Sequence, residues 1–371
     1  MEIPAQDAAH MARAVELAGR GHGTTSPNPV VGCVVLDAAG QVAGEGFHAY
    51  AGGPHAEVAA LAQAGERARG GTAYVTLEPC DHTGRTGPCS LALLDAGIAR
   101  VVVAVADPNP KAAGGAARLR AHGVAVTSGV LAGEAERVNE EWLTYARLGR
   151  PHVTWKFAAA LDGRSAAEDG TSQWITSPEA RADVHRLRAA SDAIVAGVGT
   201  VLADDPSLTA RPASPGPASS GPAARTPLRV VIDTVARTPQ GARVLDDRAP
   251  TLVAVAEDTE TGLKADLLRL PHHPDGLDLH ALLRELAARE VVSVFLEGGP
   301  TLAGSFVRQG LVDRVVAYLA PALLGSGRAA LGAAGVRTIG EIHRLTFDDF
   351  SPIGPDIRLI ARPTTQPGRE K

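Results

Sequence analysis

An α/β protein of two domains is predicted, on three observations. Strand-like apolar runs alternate with stretches of helical periodicity along most of the chain, the pattern of helices packed on a largely parallel sheet. The alternation stops at Arg147-Leu148-Gly149-Arg150-Pro151, a short polar hinge, and starts afresh beyond it. The length of 371 residues suits about two domains. The expected boundaries are 1–148 and 149–365.

In the first domain, Met11, Ala14, Val15 and Ala18 recur at helical spacing and predict a helix over 8–20, with Asp7 as its N-cap. Gly21, Gly23, Pro27 and Pro29 then break the chain into a loop. Strands are expected at Val30–Leu36 and Gln41–Phe47, joined by the turn Asp37–Gly40. A helix follows over His55–Arg67, then a strand at Thr72–Leu77 and a loop. A second helix begins near Pro88, a favoured first helical residue, which puts Cys89 in a first turn where the dipole favours a thiolate. A strand at Arg100–Ala106 and helices at 115–122 and 134–147 complete an α/β sandwich. In the second domain, strands are expected at His152–Ala158, Asp192–Ala196, Leu228–Ile232, Thr251–Val255, Val291–Leu296 and Arg314–Leu319. Helices are expected at 178–190, 278–289 and 300–309. The stretch Arg211–Pro227 is rich in Pro, Ala, Ser and Gly and reads as a flexible insertion. The tail Pro363–Lys371 reads as disordered.

Apolar residues make up 45% of the chain and charged ones 21%, an ordinary globular composition. Aromatics are only 4%, so Val, Leu, Ile and Ala must build the cores. A net charge of -5 with no long basic run argues against a broad nucleic-acid surface. No apolar run is long enough to span a bilayer, and the first residues lack the layout of a signal peptide. A cytoplasmic protein is expected, with no nucleic-acid or membrane partner. Three cysteines do not suggest a disulfide framework.

The chemistry concentrates between His55 and Cys89. His55-Ala56-Glu57 is followed by Pro79-Cys80 and, eight residues further on, by Cys89. One His and two Cys supply three zinc ligands and leave the fourth tetrahedral position open, as a catalytic site requires and a structural site does not. Glu57 lies close enough to move protons for a bound water without being a ligand. This is the layout of the zinc deaminases, in which water attacks an amino-heterocycle and ammonia leaves. A lone His or Cys would read as structural; the ordered set does not. Cys33 lies inside the apolar run Val30–Leu36 and reads as a core thiol. Many zinc deaminases close with P-C-x-x-C, whereas the longer loop here, Asp81–Pro88, carries His82 and Arg85, suited to a phosphorylated substrate.

The second domain has no G-x-G-x-x-G; in Gly197-Val198-Gly199 the place of the third Gly is taken by Leu202. A dinucleotide-binding Rossmann domain is not supported. Phe295-Leu296-Glu297-Gly298-Gly299-Pro300 reads instead as a strand running through a double-Gly turn into a helix. Such a turn either lets backbone N–H groups approach a phosphate or serves backbone conformation alone. Arg188 and Arg211 by themselves read as surface arginines, and Trp174 as a core residue.

Taken together, TLEPCDHTGRTGPC, the first-domain segments PNPVVG, PHAE and ADPNP, and the second-domain segments KFAAALDGR, SQWITS, TVLADDP and LEGGPT resemble the bifunctional deaminase–reductase family of riboflavin biosynthesis. The resemblance spans nearly the whole chain apart from 211–227 and the tail. It implies a cytidine-deaminase-like α/β/α sandwich followed by a dihydrofolate-reductase-like α/β domain. The first would deaminate 2,5-diamino-6-ribosylamino-4(3H)-pyrimidinone 5′-phosphate with Zn²⁺ held by His55, Cys80 and Cys89 and Glu57 as the catalytic residue. The second would reduce the ribosyl group of the product, 5-amino-6-(5-phosphoribosylamino)uracil, to ribityl with NADPH. Carried over to matching positions, the cofactor contacts would be Ala158, Trp174, Thr200, Asp204 and Thr234, with Gly299, Pro300, Thr301, Leu302, Ala303, Gly304 and Ser305. Substrate contacts would be Ser172, Arg188, Leu208, Arg211 and Glu297. The family often has His at position 83 and Pro at 87, where this chain has Thr83 and Gly87. A homo-oligomer acting on a small phosphoribosyl pyrimidine is expected. The rival is a nucleic-acid or nucleoside deaminase with a non-catalytic second domain.

Overall fold

The computed structural model describes residues 3–82, 87–211 and 226–364, and the chain divides into two compact units at Arg150/Pro151. Arg85, Thr83 and most of the expected 211–227 insertion lie outside the described residues, as does the tail beyond Thr364.

The first unit runs α1 (Ala5–Gly19), β1 (Gly32–Leu36), β2 (Val42–Phe47), α2 (Ala56–Ala64), β3 (Thr72–Leu77), α3 (Cys89–Asp95), β4 (Arg100–Val105), α4 (Gly115–Ala121), β5 (Ala125–Ser128), α5 (Ala132–Val138) and α6 (Glu140–Leu148). Its sheet has the order β2-β1-β3-β4-β5, with β1 antiparallel to both neighbours and β3, β4 and β5 parallel. Alternate strand residues face opposite layers. Cys33, Val35, Ala73, Val75, Val101 and Val103 pack with Ala60 of α2, Leu93 of α3 and Leu119 of α4. Cys33 is fully buried there, the core thiol its apolar setting predicts.

Four local expectations are corrected. Asp7 does not cap α1, whose N-cap is Pro4; it is buried in the first turn and pairs with Arg100 (2.7 Å) and the Tyr74 hydroxyl (2.8 Å). Pro88 is the N-cap of α3 rather than its first residue. The helix expected over 134–147 is two helices: the backbone of Asn139 departs from helical geometry at φ -114° and ψ 17°, and its Oδ1 accepts from the Val30 N–H at 3.1 Å. Arg147 and Leu148 belong to α6, which Gly149 closes at φ 64°.

The second unit continues with β6 (His152–Ala160), α7 (Pro178–Ala190), β7 (Ala193–Gly197), α8 (Val198–Asp204), β8 (Leu228–Ile232), β9 (Thr251–Ala256), β10 (Asp266–Leu270), β11 (His272–His273), β12 (Gly276–Leu277), α9 (Leu279–Ala288), β13 (Ser293–Leu296), α10 (Pro300–Arg308), β14 (Arg314–Ala320), β15 (Leu345–Ile353) and β16 (Asp356–Pro363). Among the described residues its main sheet has nine strands in the order β10-β9-β8-β7-β13-β6-β14-β16-β15. The strands from β10 to β14 are parallel, and β16 and β15 close the edge antiparallel. Val294 and Leu296 pack towards Leu282, Leu286 and Phe306 of α9 and α10, while Phe295 between them faces Ala180 and Val184 of α7. Ser177 and Asp278 cap α7 and α9 by accepting from the N–H three residues on. The hairpin β15–β16 was not expected, and Pro363 belongs to it rather than to the tail.

The close fit of α2 on β2 is what carries the first site. A Cβ on Gly46 would lie 2.5 Å from the Ala56 carbonyl oxygen and 2.6 Å from the Ala60 nitrogen, and one on Gly44 would lie 2.2 Å from the Ala60 carbonyl oxygen. Gly46→Ala is therefore expected to destabilise the protein by about 1–3 kcal/mol through overpacking. A thermal melt indistinguishable from wild type would mean that α2 can lift off β2 freely.

Candidate active sites

The first site forms where α2, α3 and the segment after β3 begin or end together. His55 is the N-cap of α2 and Glu57 lies in its first turn. Cys80 follows β3, and Cys89 opens α3. The ligand atoms of His55, Cys80 and Cys89 all lie within 4.8 Å of one another. His55 Nδ1 is 3.2 Å from Cys89 Sγ and 3.6 Å from Cys80 Sγ. Tetrahedral Zn²⁺ with bonds of about 2.0–2.3 Å requires ligand separations of roughly 3.5–3.8 Å, so the donor set fits the ion closely.

Without metal the thiols and imidazole share protons. The Cys89 thiol and His55 hold the Cys80 thiol down to about 4, and the His55 imidazole is raised by its bond to Cys80. Cys89 moves the other way: the Cys80 sulfur beside it, burial and Glu57 push its thiol up. A bound cation removes that conflict and lets both sulfurs ionise. Glu57 is buried, and burial raises its carboxyl above the usual range, with Cys80 adding to the effect. That suits a group which must accept and return protons near neutral pH.

Sequence reasoning passed over two neighbours. His48 Nδ1 donates to the Pro54 carbonyl at 3.0 Å, its ring meets His55 edge-on at 5.5 Å, and its buried Nε2 has no partner among the described residues. Asp107 has a carboxyl raised by burial, with Glu78 and Cys80 contributing. The Asp-Pro-Asn-Pro run was the available signal for Asp107; His48 had none.

The second site is a cleft of about 1360 Å³ at the carboxyl ends of β6, β7, β8 and β13. Ligands of open parallel sheets bind at such ends, where successive strands depart in opposite directions. Here β13 inserts between β7 and β6, so β8 lies to one side and β14 to the other. Ala158, Trp174, Thr200, Asp204, Thr234, Gly299, Pro300, Thr301, Leu302 and Ser305 all line the cleft, as do Ser172, Arg188, Leu208, Arg211 and Glu297. Ala303 and Gly304 do not. Ala303 packs in the core, and a side chain on Gly304 would meet the Ala333 carbonyl oxygen at 2.6 Å. Gly299 is the N-cap of α10, with Pro300 next. The first-turn N–H groups of such a helix have no intrahelical acceptor and can receive an anion.

Trp174 is not a core residue. It is 70% exposed in the cleft, and the Arg181 guanidinium stacks 4.4 Å from its ring centre. Arg188 is no ordinary surface arginine either: it donates to Glu297 Oε2 through Nε (3.0 Å) and Nη2 (2.5 Å). Burial alone would raise the Glu297 carboxyl, but Arg188 and Lys156 hold it below the usual range. Its Oε1 is buried with no partner among the described residues, leaving an acceptor for a ligand hydroxyl. Burial lowers the Lys156 ammonium from the ordinary lysine value, partly opposed by Glu297. Lys156 escaped notice as a functional residue, although a lysine within the apolar run VTWKFAAA was a visible anomaly. Lys156, Arg181, Arg188, Arg211, Arg237, Arg243 and Arg328 line the cleft against only Asp204, Asp275 and Glu297. On a chain of net charge -5, this concentrates positive charge where a phosphorylated ligand would lie.

Known proteins show the same division. Residues 4–105 match the cytidine and deoxycytidylate deaminase zinc-binding region, and residues 151–359 match the RibD C-terminal domain. The riboflavin biosynthesis protein RibD of Escherichia coli K12 is 45% identical over 362 residues, covering 95% of this chain and 98% of that protein. Its counterpart in Mycobacterium tuberculosis is 47% identical over 355 residues, covering 95% and 96%. The structure of Acinetobacter baumannii RibD superposes with a TM-score of 0.86 at 39% identity, covering 97% of this chain and 99% of that one. The Thermotoga maritima diaminohydroxyphosphoribosylaminopyrimidine deaminase/5-amino-6-(5-phosphoribosylamino)uracil reductase superposes with a TM-score of 0.83 at 34% identity and the same coverage. A half-buried His/Cys/Cys site in one unit, a basic cleft in the other and these full-length likenesses place the chain in the RibD family of riboflavin biosynthesis proteins.

Proposed function

We propose that the chain catalyses two consecutive steps of riboflavin biosynthesis. The first unit deaminates 2,5-diamino-6-ribosylamino-4(3H)-pyrimidinone 5′-phosphate. The second reduces the ribosyl group of the resulting 5-amino-6-(5-phosphoribosylamino)uracil. The observation that carries this reading is the buried carboxylate of Glu57 beside three convergent ligand atoms, on a chain that matches the family nearly end to end.

His55, Cys80 and Cys89 would hold Zn²⁺, which would supply a Lewis acid able to acidify the attacking water. Glu57 takes one proton from the attacking water and gives it to the pyrimidine ring nitrogen, then takes the second from the hydroxyl of the adduct and passes it to the departing amine. Ammonia leaves and a carbonyl remains.

In the second unit, the Gly298-Gly299 turn and the start of α10 would hold NADPH, which would supply the hydride taken up by the ribosyl C1′. The C1′–O4′ bond breaks, and O4′ needs a proton. We assign that proton to Lys156, with Glu297 Oε1 orienting a sugar hydroxyl and Arg188 holding Glu297. Arg211 and the other basic residues of the cleft suit the 5′-phosphate. Ser172 and Leu208 would complete the substrate side; Ala158, Trp174, Thr200, Asp204 and Thr234 the cofactor side.

We also propose a cytoplasmic homo-oligomer. Three free cysteines, two of them in the ligand set, suit a reducing compartment, and Phe347 and Phe350 stand exposed on the edge strand β15. No helix among the described residues is long and apolar enough to cross a membrane.

The test supplies the diaminopyrimidinone phosphoribose to purified protein with and without NADPH and follows ammonia and NADPH together. Ammonia in both samples, with NADPH consumed after it, is expected. Ammonia without NADPH oxidation would reduce the second unit to a binding module, and neither signal from zinc-loaded protein would revive the nucleic-acid or nucleoside reading. Glu57→Ala should abolish ammonia release while zinc stays bound and the deaminated intermediate is still reduced; loss of that reduction would contradict independent chemistry.

The lowered Lys156 ammonium predicts a pH dependence. A proton donor acts while protonated, so reduction should be full below its folded pKa and decline as pH rises through it, at a lower pH than an ordinary lysine would give. Lys156→Met should lose the reductase rate. An alkaline decline that persisted in the residual activity of that variant would assign the proton elsewhere.

A further inference from the structure

We infer that Asp81 is a positioning residue that staples Cys80 to Cys89 across the loop between them. The inference rests on the reading of these cysteines as metal ligands and goes beyond it to how they are kept in place. In a P-C-x-x-C arrangement a short turn holds the two sulfurs together. Here eight residues intervene, and the turn must be replaced by something else.

The replacement consists of links between the residues at the two ends of the loop. Asp81 follows one ligand and Ser90 follows the other. The Ser90 hydroxyl donates to Asp81 Oδ1 at 2.5 Å, and the Ser90 N–H donates to the Cys80 carbonyl at 3.2 Å. The Cys89 N–H points at Cys80 Sγ, 3.5 Å away. Asp81 is itself anchored on both sides: its N–H donates to the Ala112 carbonyl at 2.9 Å, and Arg118 Nε of α4 donates to the same Oδ1. The start of α4 is in turn registered against the ligand strand, since a Cβ on Gly115 would lie 1.8 Å from the Pro79 carbonyl oxygen. Ser90 is fully buried, so its hydroxyl has no water to turn to if Asp81 is removed. Arg118 also balances a carboxylate that would otherwise add to the negative charge of two thiolates and Glu57.

Groups that orient metal ligands without touching the metal change its affinity by about 10–100-fold when removed. Full-length wild type, Asp81→Ala, Ser90→Ala, Asp81→Asn and the Asp81→Ala/Ser90→Ala double variant would be compared for zinc release to a chromogenic chelator. The visible spectrum of the Co²⁺-substituted proteins would report ligand geometry. The Ala variants are expected to release zinc at least about tenfold faster and to show an altered Co²⁺ spectrum, with reductase activity unchanged. Asp81→Asn keeps an acceptor for Ser90 and should recover most of the retention, and the double variant should be no worse than the worse single one. If Asp81→Ala does not fold, Ser90→Ala decides alone. Release at the wild-type rate from the folded Ala variants overturns the staple while leaving the ligand assignment standing. Wild-type protein that takes up no zinc overturns both.

Discussion

How closely a helix can lie on a strand is the constraint on which the deaminase-type site depends. Gly44 and Gly46 leave no side chain between β2 and α2, so the helix settles with Ala56 and Ala60 against the strand backbone. That depth fixes where α2 begins, and both His55 and Glu57 belong to its first residues. A wider separation would carry the imidazole away from sulfurs that approach along β3 and α3. The site is thus an outcome of packing distance as much as of ligand identity, and small residues in this unit are part of its chemistry.

The two sites manage buried charge in opposite ways. In the first, two thiols, a carboxyl and an imidazole converge, the Cys80 sulfur and burial push the Cys89 thiol up, and a cation would relieve that conflict. In the second, the charges are already paired: Arg188 and Lys156 hold Glu297 ionised, while burial lowers the lysine's own proton affinity and Glu297 only partly restores it. A paired cluster with one oxygen unpartnered among the described residues is ready for a neutral polar group such as a sugar hydroxyl. The excess of arginines around it then serves the anionic parts of a ligand. Each unit therefore matches the charge character of what it must hold.

The loop between the cysteines has an energetic cost that local bonding can meet. Lengthening a closure from two to eight residues is two doublings, or about 1.2 kcal/mol of additional entropy. One buried hydrogen bond contributes about 1 kcal/mol, and the Ser90–Asp81 bond is accompanied by two further links.

Local periodicity in the sequence was enough to establish the α/β class, the break near residue 150 and most strands and helices, because apolar spacing alone decides those. The order of His55, Glu57, Cys80 and Cys89 along the chain also singled out the candidate metal ligands and proton carrier, which the fold brings together. What it could not supply depends on distant partners. Asn139, where one expected helix becomes two, bonds to Val30, more than a hundred residues away. The strand β15, LTFDDFSPI, shows no clean alternation and exists because β16 pairs with it. The insertion of β13 between β7 and β6 made the cleft, and with it the environment that turns Lys156 from a strand residue into a perturbed one. Residue types and spacing determine which groups can do chemistry; only the tertiary structure decides which of them are buried together, because charge interactions depend on separation in space and not along the chain.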